Sequence, residues 1–133
     1  EAQVLIPLLK TPLATLLYNA ATNNLDDVAL QWREESAVSV LLAAGGYPDS
    51  AQTGSVILNI PTVKETITFH SGTTRSTAGL VSSGGRVLSV TGIGEDLTEA
   101  RDRAYRAISQ ITLPGSFYRT DIALNASVAE KGN

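Results

Sequence analysis

Cysteine is absent from the 133 residues, which excludes disulfide bonds and thiolate metal sites. A single histidine, His70, leaves no cluster of imidazoles for zinc. Basic residues are sparse and dispersed: ten Lys and Arg stand against thirteen Asp and Glu, for a formal charge of −3, so the chain has no cationic field for a nucleic acid. Aromatic residues make up only 5%, and no run approaches the ~20 apolar residues that cross a bilayer. The opening EAQVLIPLL has neither the basic region nor the cleavage site of a secretory signal, so the expected location is the cytoplasm. Methionine is missing too, and a chain without a translational start is expected to be a piece of a longer protein.

What is present suits one soluble domain. The hydrophobic share is 43%, and 133 residues suffice to bury one core without staples. Thr11 and Pro12 predict a helix start, followed by Leu13, Leu16, Leu17 and Ala20 at helical spacing. The polar run TNNLDD then reads as a connector. Alternation at Val28, Leu30 and Trp32 suggests a short strand. AVSVLLAA, residues 37–44, is apolar on both faces and predicts a central strand covered on both sides, and residues 66–70 predict a second strand. GYPDSAQTGS and SGTTRSTAG read as loops. Gly84-Gly85 between residues 80–83 and 86–91 predicts a hairpin, because paired glycines accept positive φ.

The best helix opens at Asp96, with Glu99 as capping-box partner and Leu97, Ala100, Ala104, Ala107, Ile108 and Ile111 as its apolar stripe. Glu99/Arg103 and Asp102/Arg106 are spaced for ion pairs worth about 0.2–0.5 kcal/mol each. Pro114-Gly115 ends the helix, SFYRTDIAL suggests a last strand, and ASVAEKGN is expected to fray. The sum is an α+β domain with a mostly antiparallel sheet, one main amphipathic helix and a short helix before it.

Four residues are candidates for a substrate-side site. Arg86 follows the glycine pair, where another backbone or a ligand can approach closely; it is either a guanidinium that binds a carboxylate or phosphate or a surface hairpin arginine. His70 lies beside Ser71, Thr73 and Thr74; it is either an acid-base group or a strand-end histidine bonded to its loop. Arg119 clusters with Tyr118 and Asp121, as a site residue or in a structural ion pair. Glu1 is either a metal ligand or a helix start. The strand-GIG-helix passage at 89–104 fails as a dinucleotide motif, since Leu97 stands where a third glycine belongs and Glu95-Asp96 would face the phosphates.

VLLAAGGYPDS, FHSGT, SSGGRVLSVTGIGEDLTEARDRAY and FYRTDIA, taken in this order, resemble the carboxy-terminal domain of the glycinamide ribonucleotide synthetase (phosphoribosylamine-glycine ligase) family. The likeness runs from about Trp32 to Ile122. It departs from the family pattern at Ala44, Ser83 and Ala123, where serine, asparagine and glycine are usual. EAQVLIPLLKTPLATLL is similar to the end of that family's ATP-grasp domain, with Glu1 in the place of its G-D-P-E-x-Q glutamate. The resemblance implies three segments: residues 1–21 as the end of an ATP-grasp domain, 22–31 as connector and 32–133 as the carboxy-terminal domain. It also implies an ATP-dependent ligase of purine biosynthesis joining phosphoribosylamine and glycine, with ATP and Mg2+ or Mn2+ held by domains outside this chain. The chain alone is expected to bind none of these cofactors and to have no catalytic residue or metal ligand of its own. Its expected partners are the missing domains and small-molecule substrates, with no nucleic acid and no membrane. A stand-alone ligand-binding or interaction domain is the alternative.

Overall fold

A computed structural model describes residues 1–132; Asn133, the end of the expected frayed tail, lies outside the described residues. The run RVLSVTGIG forms the strand that organises the rest, with residues 87–94 all buried. Numbered in chain order it is β5 (Arg86–Gly94), and it lies between β1 (Ser36–Ala43) and β2 (Thr66–His70), antiparallel to both.

Alternation along β5 decides what covers each face. Gly92 and Gly94 face helix α3 (Leu97–Ile108), and a Cβ at Gly92 would stand 2.2 Å from the Ala100 carbonyl oxygen. Bare strand backbone and the small side chains Ala100, Ala104 and Ala107 thus let helix and strand approach closely. Val40, Leu42, Leu88, Val90 and Ile108 fill the core beside this contact. On the opposite face lies α1 (Ala2–Leu8), where the fully buried Thr91 donates from Oγ1 to the Gln3 carbonyl at 2.9 Å.

The α3 start follows the sequence closely. Asp96 accepts from the Glu99 amide at 2.7 Å, while the Glu99 carboxylate reaches back to the Glu95 amide at 2.8 Å, one residue earlier than a capping box requires. Glu99 also pairs with Arg103 as expected. Asp102 and Arg106, both predicted to pair, form no ion pair among the described residues.

Several expectations are corrected. Residues 80–83 and 86–91 form no hairpin: β4 (Gly79–Ser82) pairs with β3 (Thr73–Ser76) in a separate two-stranded sheet, so the supposed loop SGTTRSTAG contains a strand and Gly84-Gly85 links two sheets. β1 is an edge strand of its sheet. It is apolar on both faces because α3 and α1 cover it, not because strands flank it. The strand expected around 28–32 shrinks to a bridge between Leu9 and Trp32. Thr11 does not cap α2 (Leu13–Ala21); its hydroxyl donates to the Ala29 carbonyl and accepts from the Gln31 amide, tying the connector down. The last strand is a single bridge, Ala43 with Phe117. The tail forms helix α4 (Leu124–Lys131), whose Glu130 accepts from the Leu97 amide at 2.7 Å and so completes the start of α3.

Candidate functional site

The end of β1, the start of β5 and the end of β2 meet at one edge of the fold, because antiparallel pairing brings Ala43 to Arg86 and His70 to Leu88. Glycine pairs lie beside these strand ends, and their lack of side chains is what allows the loops to pack. A Cβ at Gly85 would meet the Tyr47 ring at 2.3 Å, one at Gly72 the Arg86 carbonyl at 2.7 Å, and one at Gly45 the Gly115 carbonyl at 2.9 Å. Backbone hydrogen bonds lock the arrangement: Ala44 donates to Gly85 at 2.9 Å, Ser83 to Gly72 at 2.8 Å, and Ser71 and Gly72 both to Val87.

Arg86 emerges from this knot exposed, with no ion pair or side-chain hydrogen bond to any described residue. His70 lies at the same end, and its Nδ1 is 3.0 Å from Thr73 Oγ1, the bond of a strand-end histidine to its loop. Arg119 clamps Asp121 with two bonds of 2.9 and 2.6 Å, an exposed pair with side chains 72% and 56% accessible. That bond raises the Arg119 pKa and lowers that of Asp121. Glu1 stands apart. It is the exposed N-cap residue of α1, whose Gln3 is fixed to Thr91, five positions and roughly 17 Å along β5 from Arg86.

An apolar recess of about 170 Å3 opens beside this edge, with Leu41 and Ala43 as floor, Tyr47, Phe117 and Tyr118 as aromatic wall and Arg119 at the rim. Sequence reasoning missed it. Glycine pairs at the ends of two strands, one followed by a tyrosine, were the available sign. A more open depression of about 460 Å3 runs along the outer face of α3 between Glu95, Asp96, Glu99, Asp102, Arg103 and Arg106. It offers no phosphate cradle, because Asp96, Glu99 and Glu130 already accept from the amides of Glu99, Glu95 and Leu97. Among the described residues no three carboxylate or imidazole side chains converge as a metal-ligand set, and no helix is long and apolar enough to cross a membrane.

Fold and site together define an α+β domain whose antiparallel sheet gathers glycine-rich loops and an unpaired arginine at one end. Residues 37–125 match the family described as phosphoribosylglycinamide synthetase, C domain, and the chain belongs to that family. It is 50% identical over 135 residues to the phosphoribosylamine-glycine ligase of Streptomyces coelicolor, covering 97% of this chain and 32% of that protein. Against the chloroplastic phosphoribosylamine-glycine ligase of Arabidopsis thaliana it is 45% identical, covering 95% of this chain and 25% of that protein. The crystal structure of phosphoribosylamine-glycine ligase from Thermotoga maritima superposes with a TM-score of 0.67 at 36% identity, over 80% of this chain and 27% of that one. The chain therefore spans between a quarter and a third of the length of these relatives.

Proposed function

We propose that this chain serves as the carboxy-terminal domain of a phosphoribosylamine-glycine ligase, an enzyme of purine biosynthesis working in the cytoplasm. In that reaction ATP phosphorylates the glycine carboxylate, and the amine of phosphoribosylamine displaces phosphate to form glycinamide ribonucleotide. The observation that carries the reading is likeness along nearly the whole chain to ligases that are three to four times longer. Residues 1–21 would then close an ATP-grasp domain and 22–31 connect it to the rest. The side chains of Leu17 and Tyr18, 61% and 69% exposed on α2, support a role facing another domain.

ATP and Mg2+ or Mn2+ are assigned to the part of the ligase outside this chain, because the family resemblance implies that the ATP-grasp motifs holding them precede residue 1. Calorimetry with Mg-ATP should show no binding to the 133-residue chain, and micromolar affinity would overturn this assignment. The glycine-packed edge with Arg86 is assigned to the wall of the substrate cleft, where a guanidinium free of internal partners can meet the anionic group of a substrate. In the complete ligase, Arg86→Ala should cost about 2–5 kcal/mol in kcat/KM for phosphoribosylamine, with the melting temperature unchanged. Unaltered kinetics in a well-folded variant would remove Arg86 from the cleft and leave His70 and Arg119 as the next candidates.

A further inference from the structure

Arg86 is exposed and its guanidinium has no partner among the described residues, so the backbone behind it decides where the side chain starts out and points. That backbone is Gly84-Gly85, two residues that hold no single conformation unaided. Their neighbours must fix it. Gly84 lies against Gly72, where a Cβ would stand 2.9 Å from the Gly84 Cα and 2.7 Å from the Arg86 carbonyl oxygen. Gly85 lies against the half-buried ring of Tyr47: a Cβ there would meet Cδ2 at 2.3 Å and Cε2 at 3.0 Å, with the Ala51 Cβ next at 3.2 Å. The base of the ring is itself tied to the pair, since the Tyr47 amide donates to the Ala44 carbonyl at 3.2 Å and the Ala44 amide to the Gly85 carbonyl at 2.9 Å. Tyr105 uses its hydroxyl to bond the Arg119 carbonyl and the Ile122 amide, whereas the Tyr47 hydroxyl bonds no described residue, so the contribution of Tyr47 lies in its ring. We infer that Tyr47 is a positioning residue of the ligase: its ring, set against Gly85, holds the glycine pair in the conformation that aims Arg86 at the substrate anion. The inference rests on the assignment of Arg86 to the substrate cleft and deepens it.

In the complete ligase, Tyr47→Ala should raise KM for phosphoribosylamine at least about tenfold with kcat within about twofold of the parent, because a misdirected guanidinium loses its bond to the bound anion. Tyr47→Phe keeps the ring and should bring KM back to within about twofold of the parent. A double-mutant cycle shows whether the effect runs through Arg86: in an Arg86→Ala background, Tyr47→Ala should change KM by less than about twofold. If Tyr47→Ala does not fold, Tyr47→Leu carries the same cycle, since it keeps apolar bulk beside Phe117 and loses the planar ring. A loss as large in Tyr47→Phe as in Tyr47→Ala would overturn the proposal by making the hydroxyl a direct substrate contact. So would a loss that adds in full to that of Arg86→Ala, or a fall in kcat and melting temperature at unchanged KM, the marks of a residue that only supports the fold. The single variant Arg86→Ala keeps the two readings apart. If it raises KM while Tyr47→Ala does not, positioning fails and the cleft assignment stands; if it leaves KM unaltered, the cleft assignment fails and takes the positioning role with it.

Discussion

The arm formed by α1 and α2 and the unit formed by β5 and α3 use hydrophobic residues in opposite ways. The arm is rich in leucine, yet neither of its helices contains a fully buried residue. α3 carries seven charged or hydroxyl side chains among its twelve residues, and still buries Ala100, Ala104, Ala107 and Ile108 completely. Burial thus depends on what stands opposite a helix more than on how apolar the helix is. α3 meets a strand stripped to glycine at Gly92 and Gly94, while α2 meets almost nothing of its own chain.

The sharpest way to break this contrast is to fill the gap beneath α3. Gly92→Ala places a methyl 2.2 Å from one α3 backbone atom and 2.6 Å from another, neither of which can swing aside. A loss above about 4 kcal/mol in urea unfolding is expected, enough to threaten the fold. Ile108→Ala, at a side chain 1% exposed, should cost about 2–5 kcal/mol, whereas Leu17→Ala on α2 should stay within about 0.5 kcal/mol of the parent. Similar losses at both positions would show that the arm shares the core after all.

A smaller effect of opposite sign is expected at Ala123, which holds φ at +58° just before α4. Left-handed backbone strains any residue with a Cβ, so Ala123→Gly should stabilise by about 0.4–1 kcal/mol, read as a higher melting temperature. The smallest effect is acid dependence. The Arg33 guanidinium hydrogen-bonds the Glu35 carboxylate at 2.6 Å and holds its pKa to about 2, and Arg119 lowers that of Asp121. A depressed carboxylate pKa contributes stability above its ordinary value that is lost as pH falls towards the folded value. Thermal melts should therefore decline between about pH 5 and about pH 2, and Glu35→Gln should flatten part of that decline.

The legible part of the fold was the local part. Asp96, Glu99 and the alanine stripe specify α3 within one stretch of chain, and residues 37–44 and 66–70 declare themselves as strands. Pairing was another matter. Gly84-Gly85 has the chemistry of a hairpin turn, but β5 finds larger apolar partners in β1 and β2, and β4 is left to β3. α4 was missed because its residues form no clear apolar stripe and it begins at a left-handed alanine without a side-chain cap. At the candidate site, Arg86 and its glycines could be read from the sequence, and the bonds of His70 to Thr73 and Arg119 to Asp121 were among the readings left open. The recess could not, because Ala43, Tyr47 and Phe117 are separated by up to 74 positions and join only through the Ala43–Phe117 bridge.

The separation of β3 and β4 from the main sheet makes this chain unusually easy to extend. Their turn, Thr77-Ala78, is exposed and belongs to neither the glycine knot nor the main sheet, while β4 beyond it is tied to the body by the Val56–Val81 bridge and the hydrogen bond from the Ile57 amide to the Leu80 carbonyl. Added residues there lengthen a turn that already stands in solvent, so a fluorophore loop or affinity peptide can be spliced in at Thr77-Ala78 to report on the domain without touching β5 or α3.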